Sequence, residues 1–465
     1  MPTNIDKKLV SDNRYPSSSK AWMTVATLSI AYMFSIIDRS ILYLLIDPIK
    51  EDLNISDTEV SILTGFAFAA VYAVMSIPMG RLSDVWSRKY VIMGGVFLWS
   101  ILTMLSGYAK NFGQLFLARM GVGLGESALT PTAHALIADV FPPEKLARGM
   151  SVFVVGGLLG NGLALLAGAA VVGLVTKAGI VAIPFLGDFR PWQLVLLIVG
   201  FLSLTVLIPL AFLSEPPRHK YNSIESKCLG QRKFSDVLGY LWNERGYYIP
   251  FIIGFSLFAV AYIGTIAWLP SYFIRVHGWS AASAGSYLGL LSMAGMVTGG
   301  LATGFLSDYL YSRGDSAAPI KLMMIVGIAL AVVQPLMIYS PMWANAVMVF
   351  VSNAGVAAII TLKPTIMQLV APSHMRGLIA AVALLSANFI GGGFGATSMA
   401  VFTDFVLGDP KGVGHSIAIV GAAGFLLGTF GVWLSYRRYI NLLVRDPKDE
   451  ILRTPFNKSP ETVTD

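Results

Sequence analysis

The segment GRLSDVWSRK (80–89) follows a long apolar run, and a similar segment, GFLSDYLYSR (304–313), follows another such run later in the chain. Glycine, leucine, serine and aspartate occupy the same four positions in both segments. Arg148–Gly149 and Arg376–Gly377 form a second pair of matching positions, and the two pairs occur in the same order. A helix cap would explain either match alone, but two matches in one order indicate an internal duplication. We therefore predict two similar halves.

The composition predicts that both halves lie in a membrane. The chain has 465 residues, of which 55% are hydrophobic and 13% are charged, whereas a soluble domain carries roughly 25% charged residues. Apolar stretches of about 20 residues recur, and each can cross roughly 30 Å of hydrocarbon as a helix. The predicted fold class is an all-α membrane protein with about twelve transmembrane helices in two six-helix bundles. These helices are predicted near 21–46, 58–80, 90–109, 112–140, 146–174, 192–213, 248–276, 281–306, 319–340, 342–371, 376–406 and 413–437.

One long hydrophilic segment separates the two bundles. The predicted organisation is an N-terminal tail (1–20), a first bundle (21–213), a linker (214–246), a second bundle (247–438) and a C-terminal tail (439–465). The linker contains KFSDVLGYLWNER (233–245), whose pattern is typical of a short amphipathic helix with Trp and Leu against lipid.

The formal net charge of +7 reports orientation rather than a nucleic-acid partner. Roughly two dozen of the lysines and arginines lie in one set of loops and in both tails, and about six lie in the other set, which predicts cytoplasmic termini in the cell membrane. The only cysteine, Cys228, lies in the linker, so an intramolecular disulfide and a Cys-x-x-Cys metal site are excluded. We expect no metal, no cofactor and no nucleic acid.

The loop after the second predicted span carries a spaced motif of glycine, aspartate and basic residues. It consists of Gly80, Asp84, Arg88 and Lys89. This motif resembles the signature of the major facilitator superfamily, in which Asp139 and Arg148 would flank the next cytoplasmic loop. The sequence departs from the signature at Val85, where arginine is usual, and at Ser87, where glycine is commoner.

The resemblance narrows over residues 30–165. The Asp-Arg pair of the first span, SDVWSRKYVIMGG (83–95) and ARMGVGLGESALTPTAHALIADVFPPEKLARGMSVF (118–153) resemble the Spinster branch of that superfamily. The resemblance implies a central cavity lined by spans 1 and 4. It also implies acid–arginine pairing and proton-linked movement of lipid-like molecules.

The loop motif has a physical role that fits this family. An aspartate at a helix end can accept hydrogen bonds from the free N–H groups of a helix in the opposite half. Arg88 can pair with Asp139. Such contacts form only when the cytoplasmic ends of the halves meet, so they would stabilise an outward-open state. The predicted gating residues are Gly80, Asp84, Arg88, Asp139, Arg148 and Asp308. An ordinary positively charged loop with a helix cap is the alternative.

Charged residues inside two predicted spans are the strongest functional signal. YMFSIIDRSILYLLIDP (32–48) contains Asp38 and Arg39, and LFLARMGVGLGESALTP (115–131) contains Arg119 and Glu126. Each ionised group at bilayer depth costs at least a few kcal/mol, and such groups mark functional sites. Neighbouring residues on a helix point about 100° apart, whereas residues seven apart share one face. Thr130 lies one turn beyond Glu126 on that face. A permanently paired network that only fixes helix register is the alternative.

The chemistry of these groups suggests separate roles. Burial favours the protonated form of a carboxyl group and a nearby arginine favours the ionised form, so a change of partner or of solvent access moves a proton. Asp38 and Glu126 are therefore the predicted proton-coupling residues. Arginine does not deprotonate in proteins, so Arg39 and Arg119 are predicted to bind the substrate anion.

Lys363 is a fifth charge inside a predicted span. The end of that span at His374 lies eleven residues away, roughly 16 Å along a helix, which is too far for the side chain to reach water. A third cation against two acids favours an anionic ligand, so Lys363 is a predicted substrate-binding residue, with Tyr43 and Thr130 as further candidates. An internal salt bridge or a neutral amine is the alternative.

These features predict a proton-coupled secondary transporter that works by alternating access on an amphiphilic or aromatic organic anion, including lysolipid-like molecules. The partners would be this substrate, protons and the lipid bilayer, and we expect a monomer. No Gly-x-x-x-x-Gly-Lys-Ser/Thr loop occurs, which argues against ATP-driven pumping. The alternatives are an uptake symporter for a small carboxylate and a membrane sensor that binds without transport. A lipid-modifying enzyme using Glu126 and His134 is less favoured, and we predict no enzymatic activity.

Overall fold

The computed structural model describes residues 15–178, 181–183, 187–215, 234–371 and 376–443. The α-helices are Ser18–Leu44, Ile46–Leu53, Asp57–Ser61, Ala67–Val85, Arg88–Ser106, Phe112–Glu126, Leu129–Val140, Pro143–Ala178, Pro191–Leu204, Leu207–Ala211, Phe234–Asn243, Arg245–His277, Ala281–Ser312, Ala318–Tyr339, Met342–Val370, Arg376–Ala387, Gly393–Val401 and Val413–Leu443. Segments of π-helix cover Ile62–Phe66, Asn388–Gly392 and Phe402–Leu407, and a 3₁₀ turn covers Pro410–Gly412. Strands Val181–Ile183 and Gly187–Phe189 form an antiparallel hairpin in which Val181 pairs with Phe189.

Within the described residues, 11 helices are long and apolar enough to cross a membrane. They are Ser18–Leu44, Asp57–Ser83, Arg88–Ser106, Arg148–Lys177, Pro191–Ala211, Arg245–His277, Ala281–Ser312, Ala318–Tyr339, Met342–Val370, Val382–Leu407 and Pro410–Leu443. We number them as spans 1, 2, 3, 5, 6, 7, 8, 9, 10, 11 and 12, because the segment 112–140 occupies the fourth place. Loops that follow odd-numbered spans define the odd-loop end of the bundle, and loops that follow even-numbered spans define the even-loop end.

The span predicted near 112–140 is not one continuous helix. Span 4 consists of two helices, Phe112–Glu126 and Leu129–Val140, which are separated at Ser127 and Ala128. Pro131 has no N–H group to donate to the carbonyl of Ser127, so the regular hydrogen-bond ladder cannot run through this point. Ala128 instead donates to the carbonyl of Gly125 at 3.3 Å. The helix interruption therefore lies immediately after Glu126.

Each half has its own hydrophobic core near the even-loop end. In the first half, Leu28, Trp99, Ile137 and Phe153 belong to one buried cluster. In the second half, a separate cluster contains aromatic and aliphatic residues of spans 7, 9, 10 and 12, among them Phe251, Met323, Ile366 and Tyr439. The even-loop ends of the halves are thus built as two independent packing units.

At the odd-loop end, by contrast, both halves contribute to one buried cluster. Ile41 and Leu165 of the first half belong to the same cluster as Trp268 and Met337 of the second half. Spans 5 and 8 cross closely here. A Cβ atom on Gly162 would lie 2.9 Å from the Gly289 carbonyl oxygen, and one on Gly289 would lie 2.8 Å from the Gly162 carbonyl oxygen. The halves are therefore joined at the odd-loop end and packed separately at the other end.

The linker is described only from residue 234 onward, so Cys228 lies outside the described residues. A helix runs over Phe234–Asn243. Leu241 is buried in the core of the second half, whereas Trp242 is exposed. This helix thus presents one apolar side chain to the protein and one outward.

Candidate functional site

A cavity of about 170 Å³ lies between the two halves, near the middle of the bundle. Its wall is formed by spans 1, 2, 5, 7 and 11. The polar lining residues are Arg39, Ser40, Tyr43, Thr64, Tyr72, Asn161, Tyr262 and Asn388. Both halves therefore contribute to the central cavity. Two of the predicted binding residues, Arg39 and Tyr43, lie in its wall.

Arg39, which lines this cavity, forms an ion pair with Glu126, which is buried and is not among the lining residues. The Arg39 Nε donates to Glu126 Oε2 at 2.6 Å, and its Nη2 lies 2.5 Å from the same oxygen. Ser35, one turn before Arg39, donates its hydroxyl to Oε2 at 2.6 Å. All of these contacts use one carboxylate oxygen. The other, Oε1, is buried and has no hydrogen-bond partner among the described residues.

The Arg39 guanidinium is also held by two aromatic rings of span 2. Its central carbon lies 4.4 Å from the Phe68 ring centroid and 4.9 Å from that of Tyr72. Tyr72 in turn donates its hydroxyl to Thr130 at 3.2 Å. Cation–π contacts contribute about 0.5–2 kcal/mol, depending on desolvation. They hold the Arg39 guanidinium beside span 2 in addition to its ion pair with Glu126. Thr130, a predicted binding residue, accepts the hydrogen bond of Tyr72 and is not among the cavity-lining residues.

Asp38 and Arg119 form a second pair that faces away from the cavity. Arg119 Nη1 donates to Asp38 Oδ2 at 3.3 Å, and Thr103 donates its hydroxyl to Asp38 Oδ1 at 2.6 Å. Asp38 is 0% exposed and Arg119 is 1% exposed. Neither is among the lining residues of the cavity. Of the four charged residues in spans 1 and 4, only Arg39 therefore lines the cavity. Adjacent residues of span 1 point in different directions, and each meets a different residue of span 4.

Close helix contacts bring span 4 to this position. A Cβ atom on Gly123 would lie 2.7 Å from the Phe68 carbonyl oxygen of span 2. One on Gly125 would lie 2.7 Å from the Trp99 backbone nitrogen of span 3. Only glycine allows both neighbours to approach so closely. The two positions therefore set the depth at which Glu126 reaches Arg39.

Lys363 lies apart from these pairs, in a neighbouring pocket of the second half. This pocket, of about 220 Å³, shares Tyr262, Ile263 and Asn388 with the central cavity. The Lys363 Nζ lies 4.4 Å from the Phe255 ring centroid. Span 10 ends at Val370, seven residues further on, so Lys363 is nearer to the helix end than the sequence suggested. Its side chain nevertheless points to an aromatic ring rather than outward.

The predicted gating residues lie at the even-loop end, and two of them form an ion pair. Arg88 forms an ion pair with Asp139 and donates to the Ala135 carbonyl oxygen at 3.2 Å. Both partners belong to the first half, so this pair fixes the loop of that half. Gly80 lies against Pro131, and Arg148 and Asp308 are exposed. The side chain of Asp84 lies outside what the structure describes.

The contacts that bridge the halves lie at the odd-loop end, and sequence reasoning missed them. Arg275 of span 7 donates to both oxygens of Asp57 at 2.6 and 2.9 Å and to Asp47 at 2.6 Å. Thr58 donates from its backbone nitrogen to Asp404 of span 11 at 2.7 Å, and from its hydroxyl at 2.6 Å. Arg275 is one of the few cations on the poorly charged side of the chain, and this exception to the positive-inside pattern was the available signal.

Tyr262 was also missed. It lines the central cavity and the Lys363 pocket, and its hydroxyl is buried without a hydrogen-bond partner among the described residues. An unpaired buried hydroxyl is costly, by about 1–3 kcal/mol. A single tyrosine in an apolar span carries no sequence signal that separates it from packing aromatics. In the described part of the chain, no group of three or more His, Cys, Asp or Glu side chains is placed to hold a metal ion.

Comparison with known proteins decides the family. Residues 28–396 match the sequence profile of the Major Facilitator Superfamily. The chain belongs to this superfamily. It is a secondary transporter rather than an enzyme, and the predicted two-bundle transporter fold is confirmed.

Individual relatives agree with this assignment. An MFS-type efflux pump of Mycolicibacterium smegmatis is 28% identical over 438 residues, covering 92% of this chain and 96% of that protein. Protein spinster homolog 1 of Xenopus tropicalis is 30% identical over 247 residues, so the match covers 52% of this chain and 44% of that protein. The similarity to Spinster proteins that the motifs predicted is thus confirmed.

A solved structure shows the same fold. The structure of a bacterial homolog to the human lysosomal transporter Spinster, in an inward-facing and unoccupied conformation, matches with a TM-score of 0.74 and 23% identity. The match covers 92% of this chain and 98% of that chain.

Proposed function

We propose that this transporter couples the movement of an amphiphilic or aromatic organic anion to protons through Glu126 and Arg39. The observation that carries the proposal is their ion pair, in which Arg39 lines the central cavity and Glu126 lies buried behind it. Glu126 is 1% exposed, whereas 24% of the Arg39 side chain is exposed. A buried acid can bind a proton when the partly exposed arginine beside it moves to another anion, and release the proton when the arginine returns.

Proton binding and anion binding would then support each other. A proton on Glu126 removes the negative charge that neutralises Arg39. The guanidinium, still held over Phe68 and Tyr72, can then donate to an anionic group in the cavity. Because the coupling between two ligands is reciprocal, a bound anion equally favours the protonated carboxyl group. Couplings of this kind amount to about 1–3 kcal/mol, or roughly 5- to 150-fold in affinity. Such cooperative binding makes symport the direct outcome.

The Asp38–Arg119 pair, which lies away from the cavity, is proposed to have a structural role in this site. Its two charges are fully buried and contact each other, Thr103 donates to Asp38, and the Arg119 Nε has no hydrogen-bond partner among the described residues. Removing one partner of such a pair is strongly destabilising. We assign it the role of fixing spans 1 and 4 so that Arg39 and Glu126 meet. The roles predicted from sequence for Asp38 in proton transfer and for Arg119 in anion binding would require this pair to open in another conformation.

Alternating access is supported by the unequal packing of the two ends. The halves share one core and the Arg275 ion pairs at the odd-loop end, whereas the even-loop ends have separate cores. We propose that the even-loop end faces the cytoplasm of a cell membrane, with both termini on that side, because most Lys and Arg residues lie there. In this conformation the transporter would be closed to the outside. The Asp84 motif, with Arg148 and Asp308, is proposed to close the cytoplasmic end in the opposite state.

The proposal has two versions, export of the anion and uptake of the anion, which differ in the direction of transport. The efflux function in the name of the M. smegmatis relative supports export of the anion. The cooperative binding described above instead supports uptake of a small carboxylate with an inward proton gradient. A sensor that binds without transport would use the same cavity. We propose that the protein acts as a monomer within the bilayer.

Reconstitution tests the proposal. A thermal-shift screen of organic anions and lysolipids on the purified protein identifies a ligand, and proteoliposomes loaded with that ligand then exchange it for labelled external ligand. A transporter exchanges the label across the sealed bilayer, and an imposed pH gradient drives accumulation. Binding without exchange would support the sensor and contradict transport. Exchange that does not respond to the pH gradient would contradict proton coupling.

A further inference from the structure

The pocket around Lys363 has an unbalanced charge. The Lys363 ammonium lies over the Phe255 ring, and no ion pair to it occurs among the described residues. The other lining side chains are mainly aromatic and aliphatic, with Phe258, Ile359 and Phe425 among them. A cation held only by a ring in an apolar pocket is short of a counter-ion, because burial of an unpaired charge is costly. An anionic ligand would supply it.

Charge differs between this pocket and the central cavity. Arg39 is neutralised by Glu126 while that carboxylate is ionised, whereas a protonated Lys363 has no acidic partner among the described residues. The two cavities together therefore carry one excess positive charge when Glu126 is ionised. A ligand with one negative charge balances that excess. The pocket walls further require that the charged group be attached to an apolar body, since the Phe and Ile side chains offer no polar partner.

Tyr262 lies where the two cavities meet. It lines both, and its hydroxyl has no partner within the described residues. Other buried hydroxyls of this half, such as that of Tyr439, are also unpaired in the described part of the chain, but the Tyr262 side chain lines a cavity in which a ligand could accept its hydrogen bond. Asn388 lines both cavities as well. A ligand bound at Lys363 would thus meet a hydroxyl and an amide before it meets Arg39.

We propose that the Lys363 pocket is the recognition subsite for a monoanion on a compact apolar or aromatic body, physically separate from the proton-coupling pair. Lys363 selects the charge, the Phe255 and Phe258 rings contact the body, and Tyr262 donates a hydrogen bond at the boundary. This inference rests on the proposed transport function for its biological role, but the binding site itself does not depend on proton coupling.

Equilibrium binding to the full chain in lipid nanodiscs tests the subsite. The probes are labelled 2-naphthoate and the uncharged, nearly isosteric 2-naphthamide, with empty nanodiscs as the blank. The wild type is expected to bind the carboxylate at least about tenfold more tightly, since a hydrogen bond to a charged group is worth that much. Lys363→Met should remove the preference, and Lys363→Arg should retain most of it. Lys321→Met is the matched control, because Lys321 pairs with Asp315 at 2.8 Å elsewhere in the same half.

Tyr262→Phe gives a second, independent readout. Because the hydroxyl is unpaired in the empty protein, its removal should leave thermal stability unchanged or raised, while weakening 2-naphthoate binding several-fold. A merely structural hydroxyl would instead lower stability and leave affinity intact, which would overturn the assignment of Tyr262.

The same binding measurement with a second pair of probes shows whether the anionic ligand is a lipid or a compact aromatic acid. Oleoyl lysophosphatidate and mono-oleoylglycerol also form a charged and an uncharged pair, although the first carries a phosphate of about −1.5 to −2 charges at pH 7 that the second lacks. A Lys363-dependent preference for lysophosphatidate alone would place a lipid anion in the subsite, and a preference for naphthoate alone would place a compact aromatic acid there. A preference that survives Lys363→Met, or a wild type that favours neither anion, would overturn the proposal.

Transport measurements separate this proposal from the proton-coupling proposal. If Lys363 is required for the preference for the anion but no pH gradient drives accumulation in proteoliposomes, the subsite stands and the proton-coupling proposal fails.

Discussion

At the scale of single residues, Asp38 and Arg39 show how adjacent charges acquire separate roles. The helix turns by about 100° between them, so Asp38 meets Arg119 in the protein interior and Arg39 meets Glu126 at the cavity. The presence of four charges in spans 1 and 4 was readable from the sequence. Which acid would meet which base was not, because that depends on the relative rotation and depth of two helices. The unpaired Tyr262 hydroxyl was likewise invisible, since only the packed structure shows what lies beside it.

The two pairs should respond differently when one member is lost. Arg119→Met leaves the Asp38 carboxylate fully buried without its cation, and we expect a loss of about 3–5 kcal/mol in the free energy of unfolding. Arg39 lines the cavity and 24% of its side chain is exposed, so water can enter the space that Arg39→Met vacates beside Glu126, and this variant should destabilise the protein less and weaken anion binding more. Thermal unfolding of both variants, combined with anion binding, measures this contrast.

The double variant Asp38→Asn/Arg119→Met supplies the control. It removes both buried charges and should recover most of the stability lost in Arg119→Met. Equal stability of Arg119→Met and Arg39→Met would contradict the distinction between a structural pair and a functional pair.

At the scale of the helix, span 4 was only partly predictable. The sequence predicted helical structure at 112–140 but not its interruption after Glu126. Pro131 was visible in the sequence, yet proline inside membrane helices is often tolerated because neighbouring helices satisfy the freed groups. Here the hydrogen-bond ladder ends at Ser127, so Glu126 is the last residue of its helix.

Glycine positions of the same helix provide a test of close packing. Gly123→Ala would place a Cβ atom 2.7 Å from the Phe68 carbonyl oxygen. A backbone carbonyl cannot move aside as a flexible side chain can, so we expect Gly123→Ala to lower the free energy of unfolding by about 1–3 kcal/mol. The displaced span 2 should also weaken the stacking of Phe68 on Arg39 and thereby anion binding.

Gly113→Ala is the matched control in that helix. Its Cβ atom would meet only the Asn111 side chain, at 3.6 Å. Replacing a helical glycine by alanine is favourable by roughly 0.5–1 kcal/mol when no clash results. Thermal unfolding should therefore show opposite changes for Gly123→Ala and Gly113→Ala, and parallel changes would contradict the packing assigned to span 4.

At the scale of the whole molecule, duplication made the two-bundle architecture predictable from the sequence. The loop motifs and the apolar periodicity set the number and order of spans. The conformation was not predictable, because the same sequence must support states closed at either end. Arg275 with Asp47 and Asp57, together with Thr58 and Asp404, closes the odd-loop end here, and these partners are hundreds of residues apart or on different spans.

Loss of the Arg275 contacts should shift the conformational equilibrium. Arg275→Gln removes the cation shared by Asp47 and Asp57, and each 1.4 kcal/mol lost from the closed state changes the population ratio by about tenfold. Spin labels at Glu51→Cys and Lys411→Cys, in a Cys228→Ser background, report the separation of the two halves at the odd-loop end. We expect longer distances for Arg275→Gln. Lys321→Gln, which breaks an ion pair inside one half, should leave the distribution unchanged, and an unchanged distribution for Arg275→Gln would contradict the bridging role.

The most direct test of the central claim uses Glu126→Gln in proteoliposomes with the ligand found by the anion screen. A glutamine keeps the shape of the side chain but cannot exchange a proton, and it leaves Arg39 without a competing charge. We predict that this variant exchanges labelled ligand across the bilayer as the wild type does, yet accumulates none when a pH gradient is imposed. Accumulation driven by the pH gradient in Glu126→Gln would show that proton coupling lies elsewhere.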